Sequence, residues 1–462
     1  MDALNRFMNS NPVTKRIVFK AEAVLATPAL IGSGESDKTD SDVLVDGLGA
    51  PFLPGTSLAG VLRALLNPNN PTPKNKGEDK TNDKETKPPK KTEREILLDE
   101  LFGEIEDDGV MSAIWVLDSV FKNAEGDQAT VVELDGVAID SEDKVAIDEK
   151  KYDFEAVETG SRFTIRIMLV IREKNNSQAL EDELGKIAFS LLNGNVSIGA
   201  KTNRGFGSIS CDKVLQQVFD FENNGIATLE RWIKFDWEEA TNDWRDATLV
   251  EHNPPYNKLE ACLKLDGSIM IRDDHNPEED EDYKHICSGG SDNPVIFGTS
   301  WAGAIRNGLY RLLKPVPGWE DKTSEKLNLY FGKVVEGTQE TVPSLIAFDA
   351  SFLKPDDRKT DGYRKITRVK IDRFTGGAAN GALFTERPWY GGQTKLTARW
   401  DPRGENSAEI EKLLLLALDA INNGLLTVGG ETSVGRGVFK VLNREIYRAD
   451  CQDDTERRDN DE

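Results

Sequence analysis

The nonapeptide GTSLAGVLR at Gly55–Arg63 returns as GTSWAGAIR at Gly298–Arg306, and that repetition decides how the chain is read. Self-similarity at a long interval marks a module used twice. Three further pairs follow in the same order. LFG (Leu101–Gly103) matches YFG (Tyr330–Gly332), and SAIWVLD (Ser112–Asp118) matches SLIAFD (Ser344–Asp349). GAKTNRGFG (Gly199–Gly207) then matches GGETSVGRG (Gly429–Gly437) as GxxTxxGxG. Any one pair is weak. Four in register indicate duplication.

Each half predicts the same elements. An opening strand (Ile17–Ala26; Lys258–Ile271) leads through a polar loop to the Gly-Thr-Ser turn. A helix follows, with apolar residues at helical spacing: Leu58, Val61, Leu62 and Leu65, then Trp301, Ile305, Leu309 and Leu312. Ser57 and Ser300 are its expected N-caps. A short helix ending at the Phe-Gly pair, a strand and an irregular middle come next. A second helix (Gln178–Leu192; Ser407–Asn422) runs into the glycine-rich turn and a closing strand. Strand–helix–strand taken twice predicts an α+β chain of two tandem ferredoxin-like modules, the scaffold of RRM domains. The expected boundaries are 1–215 and 257–448. Between them, 216–256 carries Trp232, Trp237 and Trp244 and either links or braces the modules. Residues 67–95, rich in Pro, Asn, Lys and Glu, read as a flexible insertion, and 449–462 as an acidic tail.

The chain has 462 residues and a formal charge of −23. That charge speaks against a protein that coats nucleic acid non-specifically, yet allows RNA in a local groove. Cys211, Cys262, Cys287 and Cys451 form no CxxC pair, so a zinc knuckle is not expected and a reducing cytoplasm is. No apolar run is long enough to cross a bilayer, and MDALNRFMNSNPVTKR lacks the apolar core of a secretory signal.

Free N–H groups at a helix start suit a phosphate, which makes Thr56, Ser57, Thr299 and Ser300 candidate contacts. Arg63 and Arg306 either face the ligand or solvate the helix. In the second turn, glycines free the backbone for close approach while Lys201, Arg204 and Arg436 supply charge, with Asn203 beside them. The basic residues do not correspond: Lys201 faces Glu431, and Arg204 faces Val434.

The stretch IGSGESDKTDSDVLVDGLGAPFLPGTSLAGVLRALL (Ile31–Leu66) resembles the N-terminal signature of RAMP superfamily backbone subunits of type III CRISPR–Cas effector complexes. LLDELFG, DGVAIDSEDKVAIDEKKYDFEAVETGSRF (Asp135–Phe163) and GAKTNRGFG extend the likeness. In the second half GTSWAGAIR, YFG, RVKIDRFTGGAANGALFTERPW (Arg368–Trp389) and VGGETSVGRG carry it. Two fused copies resemble the double-module subunit of subtype III-D.

The resemblance implies a filament segment that grips guide RNA, meets target RNA, and adjoins other RAMP subunits and a polymerase-like large subunit. It adds Arg368, Lys370 and Arg373 to the expected RNA contacts. It also implies protruding thumbs, for which 131–160 and 352–383 are the candidates. In many members a loop Asp cleaves target RNA with a divalent metal, here expected as Mg²⁺. The alignment puts Asp40 at that catalytic and metal-holding position, with Asp42 the close alternative. A carboxylate there positions the ribose 2′-OH or takes its proton. Counting back from the second GTS, Tyr283 matches Asp40 and His285 matches Asp42. Asp282, one residue earlier, is the second candidate carboxylate after a register shift; otherwise the second module is a silent scaffold. A guide-processing ribonuclease is the remaining alternative, and it would draw on His252, His275 or His285.

Overall fold

In the computed structural model the described residues are 11–34, 39–67, 91–104, 110–140, 146–239, 243–273, 281–288, 293–334, 341–356 and 360–449. Most of the expected insertion and the tail lie outside them. The first module runs β1 (Val13–Leu25), α1 (Gly55–Leu66), α2 (Glu93–Phe102) and β2 (Ile114–Val116). It continues as a hairpin, β3 (Val131–Ile139) and β4 (Ala146–Val157), then β5 (Arg162–Arg172), α3 (Ser177–Leu192) and β6 (Ile209–Asp220). After α4 (Phe221–Ile233), the second module repeats the plan. Its elements are β7 (Asn257–Asp266), β8 (Tyr283–His285), α5 (Gly298–Leu313), α6 (Thr323–Phe331) and β9 (Ile346–Phe348). A hairpin of β10 (Ile366–Ile371) and β11 (Ala378–Arg387) precedes β12 (Gln393–Trp400), α7 (Ser407–Asn422) and β13 (Val438–Tyr447).

Strand order is β2-β5-β1-β6 in the first sheet and β9-β12-β7-β13 in the second, every pairing antiparallel. The opening strand is thus central in both, flanked by β5 and β6 in the first sheet and by β12 and β13 in the second. A two-residue strand, Arg245–Asp246, adds an outer edge to the first sheet.

Alternation along β1 sends Ile17, Phe19, Ala21, Ala23 and Leu25 into the core under the helices. Leu58, Leu62 and Leu66 of α1 and Leu180, Leu184, Ile187 and Leu191 of α3 meet them there. In the second core the same layer is Leu259, Ala261, Leu263 and Leu265 against Trp301, Ile305, Leu309 and the face of α7. The fully buried Trp301 also donates from Nε1 to Ser351 Oγ at 2.8 Å.

The helix starts correct one expectation. α1 and α5 begin at the glycine itself, so Pro54 and Phe297 occupy the N-cap positions, and neither makes a side-chain cap bond. Ser57 and Ser300 lie inside the first turn. The Gly55 amide instead donates to Asp118 Oδ1 at 2.7 Å, the last residue of the matched SAIWVLD strand. A side chain at either glycine would strike backbone: a Cβ would stand 2.1 Å from Val116 O at Gly55, and 2.0 Å from Phe348 O at Gly298.

The tryptophan-rich connector is a brace. β6 runs on to Asp220, and Trp232, Phe235, Trp237 and Trp244 pack with Val18, Met168, Val170 and Phe219 on the sheet face away from the helices. Phe219 meets Trp232 edge-on at 5.2 Å, and Arg16 lies over the Trp232 ring at 4.7 Å. The corresponding face of the second sheet is polar, with Glu260 bridging Lys258 and Lys395 at 3.1 and 3.2 Å.

The modules join through matched parts. Phe206 of the first glycine-rich turn stacks on Phe297 just before α5 at 5.2 Å, an aromatic contact of about 0.5–1.5 kcal/mol beyond its buried area. Arg204 donates to the Phe331 carbonyl at 3.1 Å. Gly205, at φ +82°, lies so close to the second module that a Cβ would stand 2.2 Å from Ala350 N. Its counterpart Gly435, at φ +85°, has nothing within 4 Å of that position. Gly205→Ala therefore combines left-handed backbone strain with a clash, whereas Gly435→Ala meets the strain alone. We expect the former to lower the melting temperature more and to speed hydrogen exchange at Phe348–Ala350; equal losses would contradict this docking.

Candidate functional site

The chain just past the first strand, the polar loop and the glycine-rich turn are laced together identically in both modules. In the first, Ala200 N donates to Leu30 O at 2.8 Å, and Leu44 N donates to Ile31 O at 2.7 Å. In the second, Gly430 N donates to Met270 O at 2.7 Å, and Ile286 N to Ile271 O at 2.8 Å. The base of the hairpin completes the frame. Asp40 N donates to Asp153 Oδ1 at 3.0 Å, while Asp153 N donates back to Asp40 Oδ2 at 3.2 Å. Likewise Asp282 N donates to the Thr385 carbonyl at 2.8 Å, and Thr385 N to Asp282 Oδ2 at 2.7 Å.

These bonds set the correspondence between modules. Asp282, not Tyr283, stands where Asp40 stands, and Lys284 rather than His285 matches Asp42. Gap counting slipped by one because the loops differ in length. Asp40 and Asp282 are both exposed, each with one carboxylate oxygen held by an amide of its hairpin.

The other loop candidates look inward. Asp42 is buried, and its Oδ1 accepts from Thr39 N and Thr39 Oγ1, both at 2.9 Å. Val43 N donates to buried Glu155 Oε2 at 3.0 Å, clamping the loop to β4. His285 has no exposed surface; its Nδ1 accepts from Ile271 N at 2.9 Å, and burial pushes its imidazole down to about 3. It is a neutral core residue at physiological pH. His252 is occupied by the Leu65 carbonyl at 3.1 Å, and His275 lies outside the described residues.

Several expected RNA contacts are engaged within the fold. Arg63 pairs with Asp99 at 2.5 Å and donates to the Gly103 carbonyl at 3.0 Å, tying α1 to the Phe-Gly turn. Arg306 does the same through Asn328, and burial lowers its pKa. Arg204 belongs to the module junction. Arg436 is 2% exposed and bonded to Glu386 at 2.5 Å. The residues left facing outward are Thr56, Ser57, Thr299, Lys370 and Arg373, with Ser300 and Asn203 half-buried. Lys370 and Arg373 ride on the β10–β11 hairpin, and Arg368 on the same strand pairs with Glu386 at 3.2 Å.

The two glycine-rich turns share an unusual backbone. Lys201 and Glu431 are the non-glycine residues with positive φ among those described, at 57° and 55°. Around them the side chains are exchanged as a set. In the first module the Lys201 ammonium sits over Phe154 at 3.4 Å and Tyr152 at 4.3 Å, and Phe154 meets Phe206 edge-on at 5.5 Å. In the second, Phe154 is replaced by Glu386, Phe206 by Arg436 and Lys201 by Glu431. An aromatic pair becomes a buried ion pair, and the cation above it becomes an anion, 3.1 Å from Arg436. Burial pushes Lys201 down to about 8, and the nearby Asp40 carboxylate pulls it back up. Burial and then Glu431 push Glu386 above the usual carboxylate range, against the pull of Arg436. Tyr152, Asp153, Phe154 and Glu386 were assigned no role from sequence; the alternating aromatics of KYDFEAV, on the strand beside the Asp loop, were the available signal.

No three His, Cys, Asp or Glu side chains converge among the described residues. Asp40 and Asp153 each already accept the other's amide. Among the described residues this donor set does not build a resident divalent-metal site.

Breaking a buried ion pair leaves one charge stranded, at about 3–5 kcal/mol. Glu386→Phe or Arg436→Phe should each destabilise the second module by that order in urea unfolding. The double variant, which copies the first module's Phe154–Phe206 pair, should recover much of the loss. Additive losses would show that the two positions do not act as a pair.

The RAMP superfamily model matches residues 22–210 and 285–440, one stretch in each module. No curated protein matches the chain. Both matched stretches take in the helix that opens at Gly-Thr-Ser and the glycine-rich turn of their module, the second beginning after β7 and Asp282, and together they cover well over half of the sequence: the chain belongs to the RAMP superfamily.

Proposed function

We propose that the chain is a backbone subunit of a type III CRISPR RNA-guided effector complex, that each module has a ferredoxin-like fold, and that the complex cleaves target RNA at its loop aspartates. The observation that carries this reading is the duplicated cradle. Two exposed carboxylates, Asp40 and Asp282, each accept one hairpin amide, Asp153 N and Thr385 N, at the base of two hairpins. A hairpin beside each carboxylate suits a role in opening a guide–target duplex locally. The second hairpin ends in Phe374, 98% exposed, on a turn ordered by Asp372 through Phe374 N at 3.0 Å and Thr375 N at 2.7 Å. The β3–β4 hairpin lies within the expected 131–160 thumb; the second runs 366–387, later than the expected 352–383.

Chemically, the ribose 2′-oxygen attacks the adjacent phosphorus as the loop carboxylate takes its proton. The phosphorus–5′-oxygen bond breaks, the 5′-oxygen takes a proton from water, and a 2′,3′-cyclic phosphate and a 5′-hydroxyl result. Buried His285 and carbonyl-bonded His252 do not favour the alternative, histidine-based guide processing. The docking of the first turn on the second module supports assembly with further RAMP subunits. The first helix start, with Thr56 and Ser57 exposed, and the open second turn at Gly435 are the corresponding parts at either end.

The test is target cleavage by the guide-loaded complex. Asp40→Ala should suppress one cut and Asp282→Ala another, each by about 10²–10⁴-fold, with guide binding retained. A double variant that still makes both cuts would refute the assignment and leave the silent scaffold. Chelating divalent ions tests the expected Mg²⁺ separately: cleavage that persists removes it from the account.

A further inference from the structure

We propose that Lys201 is a second catalytic residue of the first module, its ammonium contacting the scissile phosphate next to Asp40 and stabilising the charge that builds on the phosphorus oxygens. The inference rests on the reading of Asp40 as the cleaving carboxylate and goes beyond it, because it makes the two modules chemically unequal. Four observations support it. Lys201 is held at φ 57°, in the left-handed region that L side chains rarely adopt, so its backbone is fixed by the turn. Its ammonium rests on the faces of Phe154 and Tyr152, which attract a cation without neutralising it. Among the described residues it makes no ion pair or hydrogen bond, unlike Arg63, Arg204, Arg306 and Arg436. And Asp40 is the carboxylate whose field acts on it.

An ammonium with unspent donors, half-buried on Phe154 and Tyr152 and within the field of an exposed carboxylate, is matched to a phosphate oxygen. The carboxylate takes the 2′-hydroxyl proton while the ammonium faces the oxygens that gain charge. No proton leaves Lys201 in this step; the water that protonates the departing 5′-oxygen is the one already named. The second module has the opposite arrangement. Glu431 holds the same backbone position and is drawn to Arg436, Arg272 and Arg368 at 3.1, 3.6 and 3.7 Å. Glu431, spent on those guanidinium groups, offers a phosphate no donor in place of the Lys201 ammonium, so the cut at Asp282 proceeds without this assistance.

The guide-loaded complex tests this with a target RNA spanning both cuts, the Asp282 cut serving as an internal control. Lys201→Met should slow the Asp40 cut about a hundredfold at saturating target, as removal of a charge-stabilising donor does, and leave the Asp282 cut unchanged. Lys201→Arg, which keeps the charge, should retain much of the rate. Replacing a non-bridging oxygen of the scissile phosphate with sulfur should slow the unaltered complex more than the Lys201→Met complex, a difference that a merely structural lysine would not produce. If Lys201→Met slows both cuts together through misfolding, Lys201→Arg decides: a retained rate supports the proposal, and a fall to the methionine level overturns it. If Asp40→Ala abolishes the first cut while Lys201→Met leaves it intact, Lys201 is wrongly assigned and the Asp40 reading survives. If Asp40→Ala has no effect, the underlying reading fails.

Discussion

A Cβ at Gly207 would stand 1.8 Å from the Ile198 carbonyl, and one at Gly437 would stand 1.8 Å from that of Val428. That closeness lets each glycine-rich turn fold back on itself and send its amides to the chain just beyond the opening strand. Gly207 N reaches Pro28 O and Gly437 N reaches Ser268 O, both at 2.7 Å. Because that chain is pinned, the polar loop leaves it at a fixed point, meets the hairpin base through its aspartate, and returns to the helix start. The site in each module is therefore a product of backbone geometry first. Only glycine tolerates the approach at φ 71° and 72°.

With the backbone fixed, the side chains around the turn vary as a set. Phe154, Phe206 and Lys201 make a cation on an aromatic platform; Glu386, Arg436 and Glu431 make a charge network in the same place. The exchange is coherent, since a lone Glu386 beneath a lysine and a phenylalanine would be a different pocket from either. Buried aromatic contact and buried ion pair are alternative ways to fill one space, and they leave a lysine without an ion pair in one turn and an ion-paired glutamate in the other. Duplication has kept the frame and separated the electrostatics.

Much of the fold was legible. The four repeated motifs mark the two halves, and the expected α3 and α7 agree with the helices to within a residue, while α1 and α5 begin three residues before the starts implied by N-caps at Ser57 and Ser300. The GxxTxxGxG pattern announces its own left-handed turn. Side-chain destinations were not legible. Arg63 and Arg306 look like exposed cations in the sequence, yet each bonds the neighbouring short helix, a partnership set by how two helices cross. Asp42 is a close alternative to Asp40 on paper; the bond of Asp40 to Asp153, 113 residues away, and the bonds of Asp42 to Thr39 separate the exposed carboxylate from the buried one. Unequal loop lengths left Tyr283 and Asp282 as alternatives for the position of Asp40, and hydrogen-bond register selects Asp282. The connector tryptophans were equally consistent with linking or bracing until the sheet face they cover was seen.

The most direct test of the central claim, that one backbone cradle presents two carboxylates to two equivalent phosphates, is a structure of the complex with guide RNA and uncleaved target. The account predicts Asp40 and Asp282 each within hydrogen-bond reach, about 2.6–3.2 Å, of a ribose 2′-oxygen flanking its own hairpin. The two nucleotides should superpose when the modules are superposed. Target phosphates that pass both carboxylates at more than twice that distance, or that follow different paths over the two modules, would contradict it.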